Sequence, residues 1–318
     1  VGTTGASMLL IRPWLKMNHY RVTGYHVVFF IFIVSNVGGC LTPIGDPPLF
    51  LGYLRGIPFW WVAEHCWPMW LVGNGILLAM FWVVDARNYR RAPKEVRREV
   101  AEPSDSWHFE GGINLVFLAV ILVAVFIEKP HFLRETLMVL AALGSYYLTG
   151  EPVHRANRFN FHPLQEVAIL FAAIFMTMMP ALDWLKVNAE KLGKPSPSLY
   201  YAACGSLSSV LDNAPTYLSF LSAAEGAFVD PELMDHVEKL IQSGDKGGEQ
   251  ATSGPHADRI KGTLQALTKY HPKEMAERTV TRSQIETASL LGNGDLNIFI
   301  LAVSVGAVFF GANTYIGN

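Results

Sequence analysis

Residues 34–50 read VSNVGGCLTPIGDPPLF, and this stretch decides the architecture. It closes an apolar run, 27–34, and then interrupts it with Gly38, Gly39, Pro43, Gly45, Pro47 and Pro48. Each proline lacks an N–H and each glycine adds backbone entropy that a helix must lose, so a regular helix cannot pass through. Asp46 sits inside the interruption. Irregular backbone at membrane depth is tolerated only where protein covers it or where it lines a water-filled cavity. The pattern therefore predicts a discontinuous transmembrane helix over about residues 25–54, of the kind used by secondary transporters.

Composition agrees. Of 318 residues, 51% are hydrophobic and 16% charged, against about 25% charged in soluble domains. A net charge of −2 gives no case for nucleic acid as a partner. Cys40, Cys66 and Cys204 lie far apart in apolar segments and read as small buried side chains. No cluster of His, Cys and Asp suggests a metal or a nucleophile–base pair, so neither an enzyme nor a cofactor is expected.

Working outward, residues 1–15 are too short for the ~20-residue span a membrane requires. They read as one limb of a re-entrant hairpin tipped by TTGAS, Thr3 to Ser7. Residues 60–84 form a full span, with Trp60, Trp61, Trp67 and Trp70 at its start as an interfacial belt. The following loop carries Arg87, Arg90, Arg91, Lys94, Arg97 and Arg98, which predicts a cytoplasmic location. Further spans are expected at 113–127, 133–147 and 164–185. Residues 199–224 hold two short apolar limbs around SSVLDNAPT, a second re-entrant hairpin; the alternative is one helix with a proline kink. Residues 225–286 are polar, with short helices expected at 231–241 and 256–267 on either side of a flexible Gly/Ser linker. An apolar run, 296–310, then enters GANTYIGN.

That ending repeats the opening motif. Gly39, Thr42, Ile44, Gly45 and Asp46 align with Gly311, Thr314, Ile316, Gly317 and Asn318 in the pattern G-x-x-T-x-I-G-[D/N]. Each copy ends an apolar run, and each follows a polar-tipped hairpin. The expected crossings between the copies are odd in number, which inverts one relative to the other. The expected fold is thus an all-α polytopic membrane protein of inverted repeats, each with a re-entrant hairpin and a discontinuous transmembrane helix. Its expected divisions are a first-repeat part (1–85), a basic cytoplasmic loop (86–112), second-repeat spans and hairpin (113–224), a polar aqueous insertion (225–290) and the start of the second broken helix (291–318).

TTGASMLLIRP, SNVGGCLTPIGDPP, SSVLDNAPT and GANTYIGN together resemble the ion transporter superfamily. The similarity is strongest to D-type sodium:proton antiporters and to a citrate-transport, citrate-Mg:H symporter-like branch, carried by GDPP and DNAPT. The resemblance implies that further segments of the family lie beyond both ends of this sequence. It also implies that each hairpin tip packs on the broken helix of its own half. The first half then gathers Thr3, Thr4, Ser7, Ser35, Asn36, Thr42, Gly45 and Asp46, and the second gathers Ser208, Ser209, Asp212, Asn213, Thr216, Asn313, Thr314 and Asn318.

Hydroxyls, amides, unwound carbonyls and a carboxylate in each half suit Na⁺ and H⁺ as transported or coupling ions, with Asp46, Asp212 and Asn213 as candidate Na⁺ ligands. Asp46 and Asp212 have a plainer alternative as turn and helix caps. Glu166 and His162, like Glu64 and His65, read as helix-start or interfacial residues. No Arg or Lys lies at the functional parts of these motifs to hold an anion, so the leading expectation is Na⁺/H⁺ antiport by alternating access. The alternative is sodium- or proton-coupled uptake of citrate or another carboxylate; a non-transporting scaffold or membrane enzyme is the reading from a different class. The expected setting is the lipid bilayer of a bacterial inner membrane, with a homodimer possible.

Overall fold

The interruption is where the sequence puts it. In the computed structural model, helix α1 (Thr3–Met17) precedes α2 (Gly24–Phe30), which widens into a π-helical turn, Ile31–Asn36, and tightens into a 3-10 turn, Val37–Leu41. The chain then leaves helical geometry, closes a turn from the Gly45 N–H to the Thr42 carbonyl at 2.8 Å, and restarts as α3 (Pro47–Leu54) with proline in its first turn. Proline is suited to that position because the first helical N–H groups have no intrahelical partner. The structure describes residues 2–19, 22–91, 93–94, 111–127, 130, 132–157, 161–193, 195–243 and 256–314.

Helix α4 (Phe59–Arg91) runs for 33 residues, about 50 Å at the helical rise, against a hydrocarbon core of ~30 Å. Only a narrow side of it is buried, at Trp61, Val62, Cys66 and Asn74. Trp67, Leu71, Val72, Ile76 and Trp82 stand exposed, an arrangement that suits lipid and not water. The helix continues to Arg91, so Arg87 and Arg90 are helical and not part of the loop expected from residue 86. Cations in a last turn complement the helix dipole, which favours this extension.

The protein is an all-α integral membrane protein. Among the described residues no strand occurs. The segments Gly24–Leu41, Phe59–Arg91 and Gly294–Asn313 are long and apolar enough to cross a membrane. The expected spans at 113–127 and 133–147 are shorter as helices: α5 (Ile113–Ala124) has 12 residues and α6 (Leu133–Leu148) has 16. The chain divides into two compact units, Pro93–Ala173 and the remainder. Within Pro93–Ala173, α5 and α6 are joined by the Ser145 and Thr149 hydroxyls, each donating to Asn114 Oδ1 at 2.9 Å. A short helix α7 (Glu151–Asn157) follows, with His154 edge-on to Tyr146, and α8 (His162–Asn188) leads out of the unit.

In the larger unit, residues 199–224 are not one kinked helix. Helix α9 (Pro197–Ser208) stops, and α10 (Asn213–Phe228) begins after a four-residue turn at 209–212. Helix α15 (Gly294–Phe310) packs closely on α9. A Cβ at Gly205 would lie 2.7 Å from the Phe310 ring, and one at Gly306 would lie 2.9 Å from the Tyr201 carbonyl oxygen. The polar region folds as α11 (Pro231–Ser243), α12 (Ala257–Tyr270), α13 (Pro272–Glu277) and α14 (Arg282–Leu291); the linker expected between α11 and α12 falls outside the described residues. Leu233, Met234, Val237, Leu267, Ile285 and Leu290 from these helices share one buried core with Trp61, Tyr217 and Ile300. The polar region is therefore packed against the membrane-embedded helices and is not a separate appendage.

Candidate functional site

Two helix starts with the same residue behave differently. Asp212 stands at the N-cap of α10 and accepts the Ala214 N–H on its Oδ1 at 2.9 Å. Asp46 stands at the N-cap of α3 and makes no such bond. The sequence supplies a cause: Pro48 takes the second helical position, where Ala214 offers its N–H to Asp212, and a proline has none to offer. The Asp46 carboxylate, only 2% exposed, is thereby left to other donors.

Those donors come from widely separated parts of the chain. Thr3 Oγ1 donates to Asp46 Oδ1 at 3.0 Å, and Asn213 Nδ2 donates to Oδ2 at 3.2 Å. Thr3 is carried in the first turn of α1, whose start is fixed by the Thr3 N–H donating to the Gly45 carbonyl at 2.7 Å. One turn along α1, Ser7 shares a 2.6 Å hydrogen bond with Ser35 in the π-helical turn. The backbones approach so closely that a Cβ at Gly45 would lie 2.1 Å from the Gly39 carbonyl oxygen, and one at Gly39 2.4 Å from Thr3 Cγ2. Glycine at both positions is a packing requirement. Asn36, fully buried, stands where the π turn becomes 3-10. Thr42 contributes its carbonyl to the turn before Asp46. Thr4 lies in the first turn of α1.

The second cluster centres on Ser209. Its hydroxyl donates to the Gly205 carbonyl at 3.0 Å and accepts from Asn313 Nδ2 at 2.8 Å, and Thr314 Oγ1 donates to its carbonyl. Ser208 donates to the Ala307 carbonyl at 2.7 Å, and Thr216 donates to the Asp212 carbonyl at 2.9 Å. Asn318 lies outside the described residues, so the second break is followed only to Thr314. Helix α1 thus meets the first interruption and α9 meets the end of α15, while Asn213 at the start of α10 reaches Asp46 in the first interruption. No local pattern announces that contact, which joins residues 167 positions apart.

Other candidates separate from these clusters. His65 bonds the Trp61 carbonyl and stacks on the Trp61 ring, and Glu64 is exposed. His162 is exposed at the start of α8, and the Glu166 side chain is outside the described set. Among the described residues no group of three or more His, Cys, Asp or Glu could hold a metal ion.

A family model described as "Putative citrate transport" matches residues 1–318. The chain belongs to that family. No curated protein and no solved structure matches it. Membership favours the carboxylate alternative over Na⁺/H⁺ antiport.

Proposed function

We propose that this chain is the transport core of a secondary carrier for a citrate-class carboxylate, coupled to a cation or proton. The carrying observation is Asp46, a buried carboxylate at a helix interruption that takes one hydrogen bond from α1 and one from α10. A group tied to both tips senses their relative movement, which is what alternating access requires of a central site. In this reading α1 and the α9–α10 pair are re-entrant elements of two inverted repeats, and the protein is multi-pass in a bacterial inner membrane. The residues around Asp46 and Ser209 are hydroxyls, amides and carbonyls. A polyanion next to Asp46 is repelled unless a bound cation or a proton offsets its charge. The substrate is accordingly a carboxylate accompanied by such a cation, and Asp46 lies on the cation's side of it.

Na⁺/H⁺ exchange is the second reading, favoured by Asp46 itself, since an intramembrane carboxylate can hold either ion. Proteoliposomes separate the two. Labelled citrate should enter only when a pH gradient, Na⁺ or a divalent cation accompanies it. If Na⁺ alone collapses a pH gradient with no carboxylate present, the exchange reading replaces this one.

A further inference from the structure

Helix α4 supplies a polar pair that lies outside both clusters. Asn74 is only 7% exposed, yet its Oδ1 has no hydrogen-bond partner. One turn earlier, Trp70 Nε1 is also buried without a partner. The orientation of the amide is set by chemistry: Asn74 Nδ2 donates to the Trp70 carbonyl at 3.0 Å. A flipped amide would oppose two oxygens. Asn74 Oδ1 is therefore a free acceptor, and Trp70 Nε1 is a free donor on the same side of the helix.

This side of α4 faces the helix interruptions. A Cβ at Gly73, next to Asn74, would lie 3.3 Å from Val37 Cγ1 and 2.8 Å from the Phe309 ring. Val37 opens the 3-10 turn of the first break, and Phe309 stands at the end of α15 just before the second. The rest of the buried side, Trp61, Val62 and Cys66, is apolar or nearly so. An unmet acceptor and an unmet donor in such surroundings are costly.

The pair discriminates among occupants. A carboxylate oxygen only accepts and would face Asn74 Oδ1 with no proton between them. A metal cation would meet the positive end of the indole N–H. A hydroxyl, like a water, both donates and accepts, and so has the capacity to meet both groups. We propose that Trp70 and Asn74 form a subsite for the hydroxyl of a hydroxycarboxylate substrate, with the indole N–H donating to the hydroxyl oxygen and the hydroxyl donating to Asn74 Oδ1. This rests on the carboxylate reading above and adds a determinant of specificity to it.

The test compares citrate with propane-1,2,3-tricarboxylate, which has the same three carboxylates and no hydroxyl. In the unaltered protein the deoxy acid should compete with labelled citrate about tenfold more weakly or worse, because it leaves both groups unpaired. Trp70→Phe and Asn74→Leu should each lower the citrate-to-deoxy ratio of kcat/KM by about tenfold. The ratio is taken within each variant, so differences in expression cancel. Equal competition by the two acids in the unaltered protein overturns the subsite, and needs no variant. A ratio unmoved by both substitutions also overturns it, and assigns the pair to an ordered water. Absence of citrate uptake under every coupling gradient overturns the carboxylate reading and the subsite together; citrate uptake with no preference for the hydroxyl overturns the subsite alone.

Discussion

Asn213 donates its side-chain amide to Asp46 Oδ2 across 3.2 Å. The bond joins the start of α10 to the break before α3, across 167 positions of the chain. The same carboxylate holds Thr3 on its second oxygen. A hydrogen bond contributes about 0.5–1.5 kcal/mol between neutral groups and about 1.5–3 kcal/mol to a charged one, and loss of either donor leaves a buried oxygen unpaired.

Exchange of the pair separates structure from transport. Asp46→Asn puts an NH₂ group or a neutral oxygen against Asn213 and lowers Tm in detergent. Adding Asn213→Asp restores a donor–acceptor pair with the charge on the other side. The double variant should recover most of the lost Tm and still transport at background. Full recovery of uptake would show that the bond matters and the position of the charge does not.

The glycines at the break give a sharper stability contrast. Gly45→Ala forces a Cβ to within 2.1 Å of a backbone oxygen that cannot swing away. Overpacking of this kind costs about 1–3 kcal/mol and occasionally more, and here the upper end is expected. Gly75 on α4 has nothing within 4 Å of its would-be Cβ. Gly75→Ala should be neutral or stabilise by up to about 1 kcal/mol through helix propensity. Thermal melts of the two variants side by side check the prediction.

Local features of this architecture were open to reading from sequence, and long-range ones were not. The break at 42–46 is written in consecutive glycines and prolines, because backbone chemistry acts within a few residues. The division of 197–228 into two helices follows from the Asp-Asn-Ala-Pro turn in the same way. The short helices expected at 231–241 and 256–267 form and extend to Ser243 and Tyr270. What spacing does not encode is which buried donor reaches which acceptor after packing. Asn213 and Asp46 each looked like members of their own half, and their contact depends on α10 lying against α3. The contrast between Asp46 and Asp212 was present in the sequence as DPP against DNA, since Pro48 stands where Ala214 supplies the capping N–H. The packing of the polar region onto the membrane helices was hidden because its composition resembles any solvated helical segment.

A buried ionic group offers a further test. Glu225, fully buried near the end of α10, lies 3.8 Å from Arg55 Nη1 and 3.9 Å from Lys186 Nζ. Lys186 is bound more closely to Glu286, at 2.6 Å. Arg55 and Lys186 are each about one-third exposed, so solvent moderates their charges. Arg55→Met with Lys186→Met leaves Glu225 without its compensating cations and should destabilise the protein by roughly 3 kcal/mol. Adding Glu225→Gln removes the buried charge and should recover most of the loss. If the triple variant melts no higher than the double, Glu225 is not what the two cations serve.

The turn after the first broken helix is clamped by the polar region, and this predicts a local effect at a distance from Asp46. The Arg55 carbonyl, left free at the end of α3, accepts from Ser283 Oγ at 2.8 Å and from Thr287 Oγ1 at 2.9 Å, both on α14. The next carbonyl, on Gly56, lies 3.1 Å from His271 Nε2. Gly56 has φ of +104°, and the Gln284 backbone lies 3.0 Å from its would-be Cβ, so the turn cannot easily take another shape. Unsatisfied carbonyls at a helix end need partners from outside the helix, and here α14 supplies them. Ser283→Ala with Thr287→Val deletes both donors while keeping the size of the side chains. Amide exchange should accelerate at residues 55–57 by about tenfold, matching the ~1 kcal/mol of a neutral hydrogen bond taken twice with partial replacement by water. Exchange at residues 49–52 should rise less, because Leu49 and Leu51 remain buried. Equal acceleration throughout α3 would mean that the clamp holds the whole second half of the broken helix, and not the turn alone.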